Sequence, residues 1–205
     1  MSAREAILAA VRKAGRTPVP LPAVPLFEAA GDQGERFAQN LARMGGRLTA
    51  AEPGQDLAAV VARLHPAAKV VASATPEVAG NRDLAAVTAP GELEDVDVAV
   101  VRAACAVAET GSVLLTEAQL RVNALGYLAQ HIVVLLDPAA ILPNLHHAFN
   151  RPEFAAARYT VLVTGPSATA DIEGVLIHGA QGVRSLTVVL APMDPTVQPT
   201  TTRNT

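Results

Sequence analysis

His131-Ile-Val-Val-Leu-Leu136 is an apolar run of strand length, and Tyr159-Thr-Val-Leu-Val163 and Leu186-Thr-Val-Val-Leu190 repeat its character. Strands buried on both faces read as continuous apolar runs, so these three are predicted as interior strands of a sheet flanked by helices. Upstream lie Val96-Asp-Val-Ala-Val-Val101, Cys105-Ala-Val-Ala108 and Ser112-Val-Leu-Leu115, separated only by Arg102-Ala103-Ala104 and Glu109-Thr110-Gly111. Such gaps are too short for helical crossovers, which predicts antiparallel neighbours and hence a small antiparallel β portion. Further upstream, Arg47-Leu-Thr49, the helical spacing of Leu57, Val60, Val61 and Leu64, and Lys69-Val-Val-Ala72 read as β-α-β. Thr75-Pro76 predicts the start of a helix ending near Gly80-Asn81, and Pro138 to Phe149 and Asp171 to Ile177 are also predicted helical.

Residues 1–45 read as an N-terminal helical arm with a proline-rich linker. Ser2 and Glu5 form a capping box for a helix with Ile7, Leu8 and Val11 on one face. Pro18, Pro20, Pro22 and Pro25 then forbid helix until Phe37, Leu41 and Met44 mark a second one, ending at Gly45-Gly46. Residues 46–192 are the α/β domain. Residues 193–205, rich in Pro, Thr and Asn and without apolar period, are predicted to be a disordered tail.

Composition narrows the function. The 205 residues are 50% hydrophobic and 17% charged, with 16 basic and 19 acidic residues and a net charge of -3. Mild acidity and only 3% aromatics give neither a phosphate-binding footprint nor rings for bases to stack on, so nucleic acid is not expected as a partner. No apolar run has the roughly 20 residues a membrane span needs, and the expected location is the cytoplasm. The single cysteine, Cys105, supplies neither an intrachain disulfide nor the four thiolates of an iron–sulfur cluster. None of His65, His131, His146, His147 and His178 makes a helical His-x-x-x-His pair, so no metal site is expected.

Three loops offer chemistry. In Ala108-Glu109-Thr110-Gly111-Ser112 a carboxylate stands between apolar stretches; Glu109 could act as base or nucleophile, with Thr110 and Gly111 beside it, or simply close a hairpin turn. Thr164-Gly165-Pro166-Ser167-Ala168-Thr169-Ala170-Asp171 follows a predicted buried strand. Gly165, Ser167, Thr169 and Asp171 would bind a carboxylate or phosphate if a helix began there, the alternative being plain capping. Gly179 and Gly182, around Ala180-Gln181, would let backbone approach a ligand or form a tight turn. Neither a Walker-type nor a Rossmann glycine fingerprint occurs.

Ala106-Val-Ala-Glu-Thr-Gly-Ser-Val-Leu-Leu115, then His131 to Leu136, then Thr164-Gly-Pro-Ser through Leu190, together resemble the LUD family, the lactate utilization proteins of the LutC/YkgG type. The resemblance covers about residues 95 to 192 and departs from the usual pattern at Ala168, where Arg is usual, and at Gln181-Gly182-Val183, where His-Gly-Pro is usual. It implies a fold like the NagB/RpiA/CoA-transferase superfamily, with a mostly parallel sheet flanked by helices. It also implies a role in oxidising L-lactate to pyruvate as the cluster-free component of a complex whose partner subunits carry the iron–sulfur clusters. The alternative is a stand-alone CoA-transferase- or sugar-phosphate-isomerase-like enzyme, or a small-molecule binder, using Glu109.

Overall fold

The computed structural model describes residues 2–15, 20, 22, 25–171, 173–179 and 181–193. The first half contains helices α1 (Ala3–Lys13) and α2 (Gln33–Arg43), strand β1 (Arg47–Ala50), helix α3 (Leu57–Leu64), and strands β2 (Val71–Ser73), β3 (Val98–Arg102), β4 (Cys105–Val107) and β5 (Ser112–Thr116). Then follow helices α4 (Glu117–Leu120) and α5 (Leu125–Leu128), strands β6 (His131–Leu136) and β7 (Ile141–Leu142), and helices α6 (Leu145–Phe149) and α7 (Pro152–Ala156). Strands β8 (Thr160–Val163), β9 (Ala168–Thr169), β10 (Ile177–His178) and β11 (Ser185–Leu190) complete the described chain.

The fold is α/β around a parallel five-stranded sheet in the order β1-β11-β6-β3-β2. Its strands alternate between two covered faces, which is why they read as unbroken apolar runs. Ile132, Val134 and Leu136 of β6 join Phe37, Leu41, Leu120 and Leu125 on one face, while Val133 and Leu135 join Val60 and Val61 of α3 on the other. A smaller sheet, β7-β4-β5-β8, is antiparallel at β4–β5 and β5–β8, and β9 pairs antiparallel with β10. The second helix of the N-terminal arm is part of this core, for Phe37 and Leu41 are fully buried. Helix α1 has the Ser2–Glu5 capping box but buries no side chain. Pro18, Val19, Leu21 and Val24 of the linker and residues 194–205 of the predicted tail lie outside the described residues.

Several local expectations are corrected. Val98–Arg102 does not pair with its sequence neighbour β4; it lies between β6 and β2 in the parallel sheet, and only β4 and β5 form the hairpin. Thr160–Val163 is not an interior strand but the half-buried edge of the small sheet, paired with β5 alone. Thr75-Pro76 starts no helix. The Thr75 hydroxyl bonds the Glu77 carboxylate instead of a helix amide, and Gly80 sits so close to β2 that a Cβ there would stand 2.7 Å from the Val71 carbonyl oxygen. Residues 138–149 divide into a 3-10 turn, β7 and α6. Residues 171 and 173–177 are not helical either, because the Gly179 N–H donates to Ser167 O at 2.6 Å and the Ser167 N–H to Val183 O at 2.8 Å, drawing β9 and β10 into a hairpin.

Gly111 fixes how α2 meets the small sheet. Its φ of 70° suits glycine, and a Cβ would stand 2.2 Å from the Leu41 nitrogen and 2.5 Å from the Asn40 carbonyl carbon. Asn40 Nδ2 clamps the same turn by donating to the carbonyls of Ala108 (2.8 Å) and Glu109 (3.0 Å). Gly111→Ala is therefore expected to destabilise the fold by on the order of 3 kcal/mol, read as a lower urea midpoint, since strain and backbone overlap act together.

At the amino edge of the central sheet the rings of His65 and His131 stack with centroids 4.6 Å apart. Burial, then the charge of His131 and of Arg47, holds His65 below the ordinary imidazole pKa; burial, then Arg184, does the same to His131 against the opposing pull of Asp97. His65 Nε2 is buried without a partner, while His131 Nδ1 meets Ser185 Oγ at 2.7 Å. The fold thus prefers both rings neutral, and the unfolded chain binds more protons as pH falls through about 6.5. Their contribution is complete above that pH and is lost below it. The unfolding midpoint is expected to fall between pH 7.5 and 5.5, and a His65→Gln, His131→Gln double variant to flatten that slope; an unchanged slope would refute the assignment.

Candidate functional site

The two sheets part within one step of the chain. After β3 the Ala103 N–H still donates to Leu135 O of the central sheet at 2.9 Å, and the next N–H, of Ala104, donates to Leu114 O of the small sheet at 3.0 Å. A cavity of about 440 Å³ opens where they separate, walled by the segments that follow β2, β3 and β5 and by Met193 beyond β11. The ends of β2, β3 and β11 are carboxyl ends of parallel strands, where open α/β sheets collect ligands. Its walls combine small apolar side chains, among them Ala103, Ala104 and Ala118, with Glu77, Arg102, Arg151 and Glu153. A more open, polar hollow of about 480 Å³ lies beside it and shares Thr75, Pro76 and Arg121 with it.

Most of the charge here is already paired. The Arg102 guanidinium grips Glu77 through Nη2 and through Nε, at 3.0 Å, and donates from Nη1 to Ala191 O at 3.1 Å, with only 12% and 16% of the two side chains exposed. This pair ties the loop after β2 to the end of β3 and to the segment after β11. Arg151 holds Glu153 in a two-pronged pair at 2.7 and 3.1 Å, which raises the Arg151 pKa. Burial would lift Glu153, but the Arg151 hydrogen bond and charge leave it below the usual carboxylate value.

Arg121 is different. It is exposed, lies against both hollows, and its side chain makes no hydrogen bond or ion pair among the described residues. Beside it, Gln119 turns Oε1 to the Thr116 N–H (3.0 Å) and hydroxyl (2.7 Å), leaving its Nε2 donors without a partner among the described residues. One guanidinium and one amide without partners among the described residues, at a cleft with apolar walls, suit a carboxylate or a phosphate.

The residues singled out from the sequence lie elsewhere. Glu109 is exposed at the hairpin turn, where its carboxylate accepts the Leu145 N–H at 3.1 Å at the start of α6, while its own N–H donates to Pro143 O at 3.1 Å. Thr110 Oγ1 meets Ser112 Oγ at 2.7 Å, and Ser112 bonds Thr164 in turn, so these hydroxyls stitch β5 to the residue after β8. Gly165 has φ of 71° where its backbone passes Met44 O, which a Cβ would approach to 2.0 Å. The Ser167 hydroxyl bonds Gln181 O, Gly182 lies against Ser167, Gly179 against Arg184, and Thr169 Oγ1 donates to Asp171 at 2.9 Å. The 110–112 turn and the cleft lie at opposite ends of β5, on the order of 13 Å apart.

Sequence reading thus missed Glu77, Arg102, Gln119, Arg121, Arg151 and Glu153. One signal was present: Arg102 ends an otherwise apolar strand, where the ligand edge of a parallel sheet lies. Cys105 is fully buried among Val107, Leu114 and Ala148, and burial pushes its thiol up to about 11. Among the described residues no group of three His, Cys, Asp or Glu side chains is placed to hold a metal ion. No helix is long and apolar enough to cross a membrane among the described residues.

The family model of the LUD domain matches residues 83–191. A crystal structure of a DUF162 family protein from Deinococcus radiodurans superposes with a TM-score of 0.55, covering 78% of this chain and 99% of that chain at 18% sequence identity. At that identity the likeness shows a common fold. No curated protein matches.

The contrast between Glu77 and Glu109 is testable by denaturation. Glu77→Gln removes the charge that compensates a nearly buried guanidinium and is expected to cost about 3 kcal/mol of stability. Glu109→Gln, at an exposed turn, is expected to cost less than about 1 kcal/mol. Equal losses would mean that the Glu77–Arg102 pair does not brace the cleft.

Proposed function

The chain belongs to the LUD domain family, and from that premise we propose that it serves lactate utilization as a LutC-type component, holding the acid's carboxylate at Arg121 in the cleft between the two sheets. In this reading the oxidation of L-lactate to pyruvate releases two electrons and two protons, and the electrons pass to iron–sulfur clusters on cytoplasmic partner subunits. The single observation that carries the carboxylate assignment is that Arg121 has no partner among the described residues, in a cleft whose other charges lining the same cavity, Arg102 with Glu77 and Arg151 with Glu153, are paired. The partner assignment is supported by the lone, buried, high-pKa Cys105, a poor cluster ligand. With Glu109 remote from the cleft, the reading that rests on Glu109 as nucleophile has no support from position.

The test is reconstitution. The chain is combined with candidate iron–sulfur proteins that carry ferredoxin-type cysteine runs, and L-lactate-dependent reduction of a dye is measured with and without it. Turnover is expected to require the chain. Arg121→Ala is expected to raise the lactate concentration for half-maximal rate by on the order of 10-fold, the cost of one charge-assisted hydrogen-bonded contact. Full turnover without the chain, or with Arg121→Ala at wild-type half-saturation, would overturn the proposal.

A further inference from the structure

The orientation of the Gln119 amide is fixed by its neighbours. It occupies the third position of α4, where it closes a capping box with Thr116. The Thr116 N–H can only donate, so the amide atom that meets it at 3.0 Å must be the oxygen. The Thr116 hydroxyl repeats the constraint: it accepts the Ala118 N–H at 3.1 Å and gives its own proton to Gln119 Oε1 at 2.7 Å. Exchanging Oε1 and Nε2 would set two N–H groups against each other and lose the bond to the Thr116 amide. Gln119 Nε2 is therefore committed as a donor, and it has no partner among the described residues.

This donor stands two residues from Arg121, at most about 7 Å away along the backbone, and both residues line the cleft. We infer that Gln119 is the specificity-determining residue of the cleft, selecting acids that carry an oxygen on C2 over those that carry an ammonium there. The inference rests on the reading of Arg121 as the carboxylate site and assigns the contact next to it. With the carboxylate on Arg121, Gln119 Nε2 donates to a lone pair of the C2 hydroxyl of lactate or of the C2 carbonyl of pyruvate. The ammonium of alanine has three N–H groups and no lone pair, so it would meet Nε2 donor to donor. Nor do Glu77 and Glu153 offer it a free carboxylate, because Arg102 holds the first and Arg151 the second. The three acids are of nearly equal size, so the selection requires only this hydrogen-bond pattern and no enclosing walls.

Calorimetric titration of the full chain with L-lactate, pyruvate and L-alanine tests the assignment. The unsubstituted chain is expected to bind lactate and pyruvate at least about 10-fold more tightly than alanine, as a committed polar group does when offered the wrong partner. Gln119→Glu keeps the oxygen that Thr116 requires, and glutamate closes a capping box as well as glutamine does, so the melting temperature is expected to hold. The same substitution puts a carboxylate oxygen where the donor stood, and the ratio of lactate to alanine affinity is expected to fall by at least about 10-fold. That ratio is the readout because loss of fold, or of the Arg121 charge, would weaken both acids alike. If Gln119→Glu lowers the melting temperature, Gln119→Met, which removes the donors without adding charge, is read in its place and is expected to bring the two acids to within about threefold. Alanine binding as tightly as lactate to the unsubstituted chain, or an unchanged ratio in the folded variant, overturns the inference and leaves the carboxylate reading standing. Failure of every acid to bind overturns both.

Discussion

Two consecutive amides, those of Ala103 and Ala104, donate to different sheets, and the site depends on that divergence. A strand that leaves one ladder for another without an intervening loop keeps both sheets hydrogen-bonded to their ends, so no buried backbone donor is left orphaned at the fork. The two sheets must nevertheless separate beyond it, because β6 continues beside β3 while β5 turns into α4 through the Thr116 cap. The cleft is therefore a consequence of topology, and its alanine walls are what keeps it from being filled by its own side chains.

Electrostatics then decides what the opening can hold. Glu77, Arg102 and the Ala191 carbonyl connect the end of β3 to the segments that follow β2 and β11, so the walls of the cleft are braced by a network whose side chains are largely withdrawn from water. A pair of that kind contributes little net stability compared with apolar packing, but removing either half is costly, which makes it a geometric constraint more than an energetic asset. The Arg151–Glu153 pair is more exposed and weaker for that reason. Together they consume the charge that would otherwise attract ions indiscriminately into a protein of net charge -3.

The layered α/β architecture was legible because burial on both faces leaves a signature in single strands: β6 and β11 were recognisable without any partner, and so were α3 and the β4–β5 hairpin. What was not legible was which ladder each strand joins. Arg102-Ala103-Ala104 has the length of a turn and is instead a sheet switch, and Thr160–Val163 is as apolar as an interior strand although it has one neighbour. The cleft was illegible for a related reason. Glu77, Arg102, Gln119 and Arg151 are separated by many residues and belong to no local motif, whereas Glu109, Gly111 and Gly165 stand out in sequence because helix α2 and the chain after it press on the two glycines and the Glu109 carboxylate accepts the first amide of α6. Ser167, Thr169 and Asp171 looked like a helix start because hydroxyls and carboxylates serve hairpins as readily.

Arg121 joins the backbone to the chemistry. It follows the four residues of α4 at φ 59° and ψ −50°, a conformation that L side chains avoid and that a glycine would adopt more cheaply. Holding it costs on the order of 1–3 kcal/mol, partly offset by the bond from its N–H to Glu117 O at 2.9 Å. A regular continuation of the helix would carry residue 121 onward along the α4 axis, whereas the abrupt reversal leaves it at the boundary of the two hollows. The same turn lets Leu120 stay fully buried in the main core and Leu125 follow it there, so the strain is held by packing on either side. A glycine at this position would relax the backbone and lose the guanidinium; an arginine in a relaxed backbone would not be confined to this turn. The chain keeps the costly combination at the one place in the cleft where a positive charge has no partner among the described residues.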